Sequence, residues 1–205
     1  MPLTRTSKLE AVNIMLSAIG EAPVNSLDPL DGELLPADVS IAVNVLDEVS
    51  KETQMLGWNF NREINVSINP TIDNEIILPA NAASVDVEAV NSGGVPYVQR
   101  GERLYNKKDH TYTITSAVKC SIIYLLEWED LPQAARHYIA IKSGRRLQDR
   151  TVGSELHHSF GAIDEMQALV ALKTSEAEAG DYSIFDNYDV YKTIDRGSVI
   201  HKVVN

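Results

Sequence analysis

From Trp58 to Asn69 the chain alternates between apolar and polar residues. Trp58, Phe60, Ile64, Val66 and Ile68 point one way, and Asn59, Asn61, Glu63, Asn65, Ser67 and Asn69 point the other; only Arg62 interrupts the apolar row. A period of two predicts a half-buried antiparallel strand. Just upstream, Val39, Ala42, Val43, Leu46, Val49, Thr53 and Leu56 recur at helical spacing. Gly57 stands between the two patterns, as the C′ residue that lets a chain leave a helix. One glycine thus joins a helical layer to a sheet layer, with Trp58 and Phe60 pinning the joint.

The same patterns organise the rest. Ser7 and Glu10 have capping-box spacing and open a helix to Ile19, with Leu9, Val12, Leu16 and Ile19 as its buried stripe. Gly20 and Pro23 end it. Pro36 suits the first position of a second helix that runs to Leu56. Strands and turns follow to Leu126, with Asn91-Ser92-Gly93-Gly94 and Asn106-Lys107-Lys108-Asp109 as turns. Val118, Cys120, Ile122, Tyr124 and Leu126 form a second alternating row. A third helix spans about Pro132 to Arg150, and a fourth follows Ser154 to about Ala179. No repeat of solenoid spacing is present.

The fold class read from this order is α+β: a four-helix bundle with an antiparallel β domain inserted between helices 2 and 3. Residues 1–57 and 131–180 are the two halves of the bundle, and 58–130 the β domain. The first and last strands must lie near each other, because both return to the helices. Residues 181–205 form an acidic tail rich in Tyr and Asp.

Composition narrows the function without naming it. The chain has 205 residues and a net charge of −11, which argues against a general nucleic-acid binder but not against a protein that DNA slides past. The opening Met-Pro-Leu-Thr-Arg-Thr-Ser lacks an apolar targeting core, and no run approaches membrane-spanning length. Cys120 is the only cysteine, so neither a disulfide framework nor a thiolate metal site is expected, and a reducing cytoplasm is. Cys120 falls on an apolar strand row, where it reads as a small buried hydrophobe.

No nucleophile elbow, phosphate-binding glycine loop or zincin pair is present. His157 and His158 are adjacent on a helix, so they diverge and do not share a metal easily. Glu127, Glu129 and Asp130 are the only carboxylates grouped for glycan hydrolysis. They also precede a helix, where the dipole favours acids. Trp58, Phe60 and Trp128 read as core.

Two groups read as contacts. Arg136, Lys142, Arg145, Arg146 and Arg150 make a basic strip on the third helix. Late cations complement a helix dipole, and Arg145 can pair with Asp149; the strip equally offers a subunit interface to an acidic neighbour in a ring. Tyr182, Phe185, Tyr188 and Tyr191 have no amphipathic element of their own, and read as partner-binding residues of a docking tail.

Several stretches carry a family resemblance. Leu9-Glu10-Ala11-Val12-Asn13 through Ile19-Gly20-Glu21-Ala22-Pro23-Val24 resembles the opening of the podovirus tail tubular protein A family, the tail adaptors or gatekeepers. Gly57-Trp58-Asn59-Phe60-Asn61 is similar to its GW-FN element. Tyr97-Val98-Gln99-Arg100-Gly101 with Leu104-Tyr105, Glu129-Asp130-Leu131-Pro132 and Gly144-Arg145 follow in family order. The resemblance implies a virion protein without enzymatic activity or cofactor, assembled in the host cytoplasm. It implies a dodecameric ring between the portal protein and the tail nozzle protein (tail tubular protein B). Genomic DNA would pass through that ring, retained before ejection and not bound by sequence, and no membrane is involved. The alternative from another class is a tail-associated glycan hydrolase acting on cell wall or capsule.

Overall fold

Capping chemistry sets the first helix of the computed structural model, which describes residues 4–28, 35–87, 94–151, 153 and 155–180, the side chains of 155–160 excepted. Helix α1 is Lys8–Ala18. The Ser7 hydroxyl accepts the Glu10 N–H at 3.2 Å, and the Glu10 carboxylate accepts the Ser7 N–H at 2.7 Å, which closes the expected capping box. Its buried face is Ala11, Val12, Met15 and Leu16. Leu9 and Ile19, expected in the stripe, are only half-buried. Two helices pack on α1, so the buried face widens around residues 11–16 and is not a narrow i, i+3 line.

Helix α2 is Ala37–Gln54, starting one residue later and ending two residues earlier than the pattern predicts. Pro36 is the N-cap and not the first helical residue: its ψ of 145° is extended, while its carbonyl accepts the Ser40 N–H at 3.0 Å. Leu56 lies in the turn beyond the helix and is 67% exposed, although its spacing placed it in the stripe. Helices α3 (Gln133–Thr151) and α4 (Glu155–Ala179) complete the set. One core takes Leu16, Leu46, Ile139, Leu147 and Leu172 from the four helices, with Trp128 and Leu131 joining it from the preceding 3-10 turn. Trp58 and Phe60 pack against this core as expected.

All five described strands lie between α2 and α3: β1 (Arg62–Ile68), β2 (Ala82–Asp86), β3 (Tyr97–Arg100), β4 (Arg103–Asn106) and β5 (Val118–Tyr124). The architecture is α+β. β5 is the centre of an antiparallel sheet of order β1-β5-β2, and β3-β4 is a separate hairpin. The first and last strands, expected near each other, are direct partners from Arg62↔Ile123 to Ile68↔Val118. Val118, Cys120 and Ile122 are buried, as the alternating row predicts. Burial also pushes the Cys120 thiol above its ordinary range. A second apolar cluster, Ile76, Leu78, Leu104, Ile114 and Val118, joins the sheet to the hairpin.

The Trp58–Asn69 row is not one strand. Trp58–Asn61 is a turn, and β1 begins at Arg62. Pairing with β5 shifts register between Glu63 and Val66, where Asn65 adopts φ +60°. A bulge inserts a residue and breaks the alternation, which leaves Ile64 70% exposed. Asn61, placed by period on the outward polar row, is 2% exposed. The expected turn at Asn91-Ser92-Gly93-Gly94 falls largely outside the described residues, as do the side chains of His157 and His158.

Candidate functional site

The joint between helix and sheet is built from two buried amides. Gln54 ends α2, and its side chain brackets Leu126: Nε2 donates to the Leu126 carbonyl at 3.1 Å and Oε1 accepts the Leu126 N–H at 2.7 Å. Asn61 Nδ2 donates to the carbonyls of Gln54 and Tyr124, both at 2.8 Å, and Oδ1 accepts the Trp58 N–H at 2.9 Å. Trp58 Nε1 donates to the Thr53 carbonyl at 2.7 Å. Gly57 makes the turn at φ +71°, where a Cβ would stand 2.7 Å from Ile123 Cδ1. The Asn59 N–H donates to Glu176 of α4 at 2.6 Å. The exit of α2, the start of β1, the end of β5 and the last turns of α4 are therefore bonded into one splice.

The α3 cations divide among three neighbours. Lys142 pairs with Glu52 at 2.8 Å, Arg146 spans Glu52 at 2.6 Å and Glu48 at 3.1 Å, and Arg150 reaches Glu48 at 2.9 Å. Together they form a ladder of alternating charge between α2 and α3. Hydrogen bonding from Arg150 first, with the charge of Arg146 nearby, holds the Glu48 carboxyl below its ordinary range; Lys142 does the same first for Glu52. Arg145 turns to α4 and pairs with Glu165 at 2.5 Å. Gly161 leaves space there, since a Cβ would meet the Arg145 stem at 3.2 Å. Arg136 is 5% exposed and sits apart from the strip. Its guanidinium donates to the carbonyls of Leu131 at 2.9 Å, Thr6 at 2.8 Å and Glu129. All five therefore hold groups of their own chain.

Glu127, Glu129 and Asp130 lie at the 3-10 turn Trp128–Asp130, before α3, and all are exposed. Their carboxylates form no hydrogen bond or ion pair among the described residues, so the turn is not closed by a side-chain cap. Glu127 and Glu129 line a cleft of about 320 Å³ with Lys8, Asp47 and Lys51. The other acid of that cleft, Asp47, is held by Lys8 at 2.8 Å. Among the described residues no group of three His, Cys, Asp or Glu side chains is placed to hold a metal.

The β3–β4 hairpin carries a stack that periodicity does not reveal. The Arg100 guanidinium lies 3.6 Å from the Tyr105 ring centre and that of Arg103 lies 4.3 Å from Tyr112. The two rings meet edge to face at 5.0 Å and 68°. Arg103 is also paired with Glu75 at 2.9 Å. On α4, Ile163, Met166 and Val170 form an exposed apolar row. Tyr182, Phe185, Tyr188 and Tyr191 lie outside the described residues. No helix among the described residues is long and apolar enough to cross a membrane.

A family model described as tail tubular protein matches residues 9–182. Among curated proteins, tail tubular protein A of Klebsiella phage KP34 is 29% identical over 156 residues, covering 74% of this chain and 77% of that protein.

Proposed function

Because the chain belongs to the tail tubular protein family, and so to the structural parts of a phage tail, we propose that it is the adaptor between portal and tail nozzle. In this reading it assembles as a ring, dodecameric as the family resemblance implies, that retains packaged DNA and lets it pass at ejection. The observation that carries the reading is the splice at Gln54, Gly57 and Asn61. An adaptor must present two unlike faces to two unlike partners and hold them at a fixed angle. A helical core and a separate sheet core, tied by buried amide hydrogen bonds, meet that requirement.

Residues 1–57 and 131–180 then act as the helical half, 58–130 as the inserted β half and 181–205 as the docking tail. Tyr182, Phe185, Tyr188 and Tyr191 are the tail's contacts. The acidic balance suits a conduit, since a like-charged wall does not hold moving phosphate. No observation favours the glycan hydrolase.

Purified full-length chain mixed with purified portal tests this reading by electron microscopy. A defined ring seated on the portal is the expected result. Failure to form any complex over a wide concentration range would overturn it.

A further inference from the structure

The α3 cations are tied within the chain, so charge available to a partner must be sought elsewhere. Residues 97–119 hold Arg100, Arg103, Lys107, Lys108 and Lys119 against Glu102 and Asp109. Five cations against two acids leave this stretch at +3, so the rest of the chain carries −14 within a total of −11. Among the described residues Arg100, Lys107 and Lys108 form no ion pair. All three are exposed.

Arg100 is also pre-organised. It and Arg103 are cross-strand partners flanking the Gly101–Glu102 turn, with Gly101 at φ +61°. The Tyr105 ring holds one face of the Arg100 guanidinium, and Tyr105 is itself braced by Tyr112. A guanidinium held by its face keeps its N–H edge for a carboxylate and loses little further freedom on binding. Arg and Tyr are enriched where contacts carry most of a binding energy.

We propose that this hairpin docks on a second copy of the chain, head to tail, at that copy's acidic turn of Glu127, Glu129 and Asp130. The inference rests on the ring reading. Nucleic acid is the weaker partner, because a duplex reaching Arg100 meets the field of −14 carried by the rest of the chain. A second copy brings a matched surface: three exposed carboxylates within four residues, unpaired among the described residues. Their backbone is steadied by Arg136 on the Glu129 carbonyl and by the buried Trp128. A contact between two different faces repeats from copy to copy, and closes when the rotation fits.

Sedimentation velocity and electron microscopy of the full-length chain at moderate salt test the contact. R100E/K108E and E129K/D130K should each weaken self-association at least tenfold while keeping the parent's circular dichroism. Mixed in equal amounts they should associate again, since each supplies the charge that the other has reversed. R100Q should give a smaller loss, and mixed with E129K/D130K it should form heterodimers through the one parental contact left without restoring rings. Rings unchanged by both reversals, or no rescue on mixing, would overturn this contact and leave the adaptor reading standing. A parent that stays monomeric alone and on portal would overturn both. Loss of short-duplex binding in R100E/K108E, with self-association intact, would assign the hairpin to DNA instead.

Discussion

The side-chain amide of Asn61 donates to the main-chain carbonyl of Gln54 at 2.8 Å, and the side chain of Gln54 in turn brackets Leu126. Each amide satisfies buried main-chain groups at the end of an element, where the regular ladder has run out. Asn61→Leu orphans the Tyr124 carbonyl and the Trp58 N–H, and leaves the Gln54 carbonyl with the Gly57 N–H alone. It should cost about 2–4 kcal/mol, since each buried unsatisfied group costs roughly 1–3 kcal/mol. Gln54→Leu should cost a similar amount, and the double variant less than both together, because the two share one network. Urea unfolding of the four proteins measures this; strict additivity would mean that the amides act independently.

Gly57 and Gly101 separate backbone strain from crowding. Both have positive φ, at +71° and +61°, but only Gly57 has atoms within reach of a Cβ: Ile123 at 2.7 Å and the Arg62 guanidinium at 3.0 Å. Gly101→Ala should cost about 1 kcal/mol for the left-handed conformation alone. Gly57→Ala should cost about 1–3 kcal/mol beyond that, because Ile123 or the chain must move. Thermal melts of the two variants check the order.

The difference between these two glycines was not readable from the sequence. Nor was the burial of Asn61. Period-two alternation sorts residues by polarity, so an amide that serves buried carbonyls looks like one that faces water. Asn65 did carry a signal, because Asn tolerates the left-handed conformation that bulges and turns use. The Ser7–Glu10 box, the four helices and the buried row of β5 were legible because their causes are local. The partners of the α3 cations were not, since Glu48 and Glu52 lie about a hundred positions earlier and no spacing rule links them. The Arg100–Tyr105–Tyr112 stack was hidden likewise, because it depends on hairpin register.

The α2–α3 ladder should give a pH signature. Glu48 and Glu52 titrate below their ordinary value of 4.5 in the folded protein. A depressed folded pKa stabilises above the unfolded value, and that contribution is lost as pH falls through the folded one. Stability should therefore drop below about pH 4.5, and more steeply in the parent than in E48Q/E52Q. Other carboxylates titrate in the same range, so the difference between the two urea midpoints is the readout. High salt should narrow that difference at neutral pH, because the ladder is half exposed. Equal slopes would mean that the ladder contributes nothing.

Arg136 offers the sharpest contrast between a surface charge and a structural one. An exposed cation of a basic strip would tolerate exchange for lysine, with an effect of roughly 0–1 kcal/mol. Arg136 instead serves three carbonyls from one planar fork, and joins Thr6, Glu129 and Leu131 to the start of α3. Lysine places its donors at a single point and cannot reach all three. Arg136→Lys should therefore cost about 2–3 kcal/mol although the charge is kept, since an orphaned Leu131 or Glu129 carbonyl costs roughly 1–3 kcal/mol, while the Thr6 carbonyl keeps the Trp128 indole N–H at 3.0 Å. Arg136→Met, which keeps the apolar stem but has no donor, should cost more. Chemical unfolding ranks the three proteins, and hydrogen exchange at residues 128–131 shows whether the acidic turn loosens with the lost bonds. If Arg136→Lys unfolds within about 0.5 kcal/mol of the parent, the three hydrogen bonds do not hold the turn.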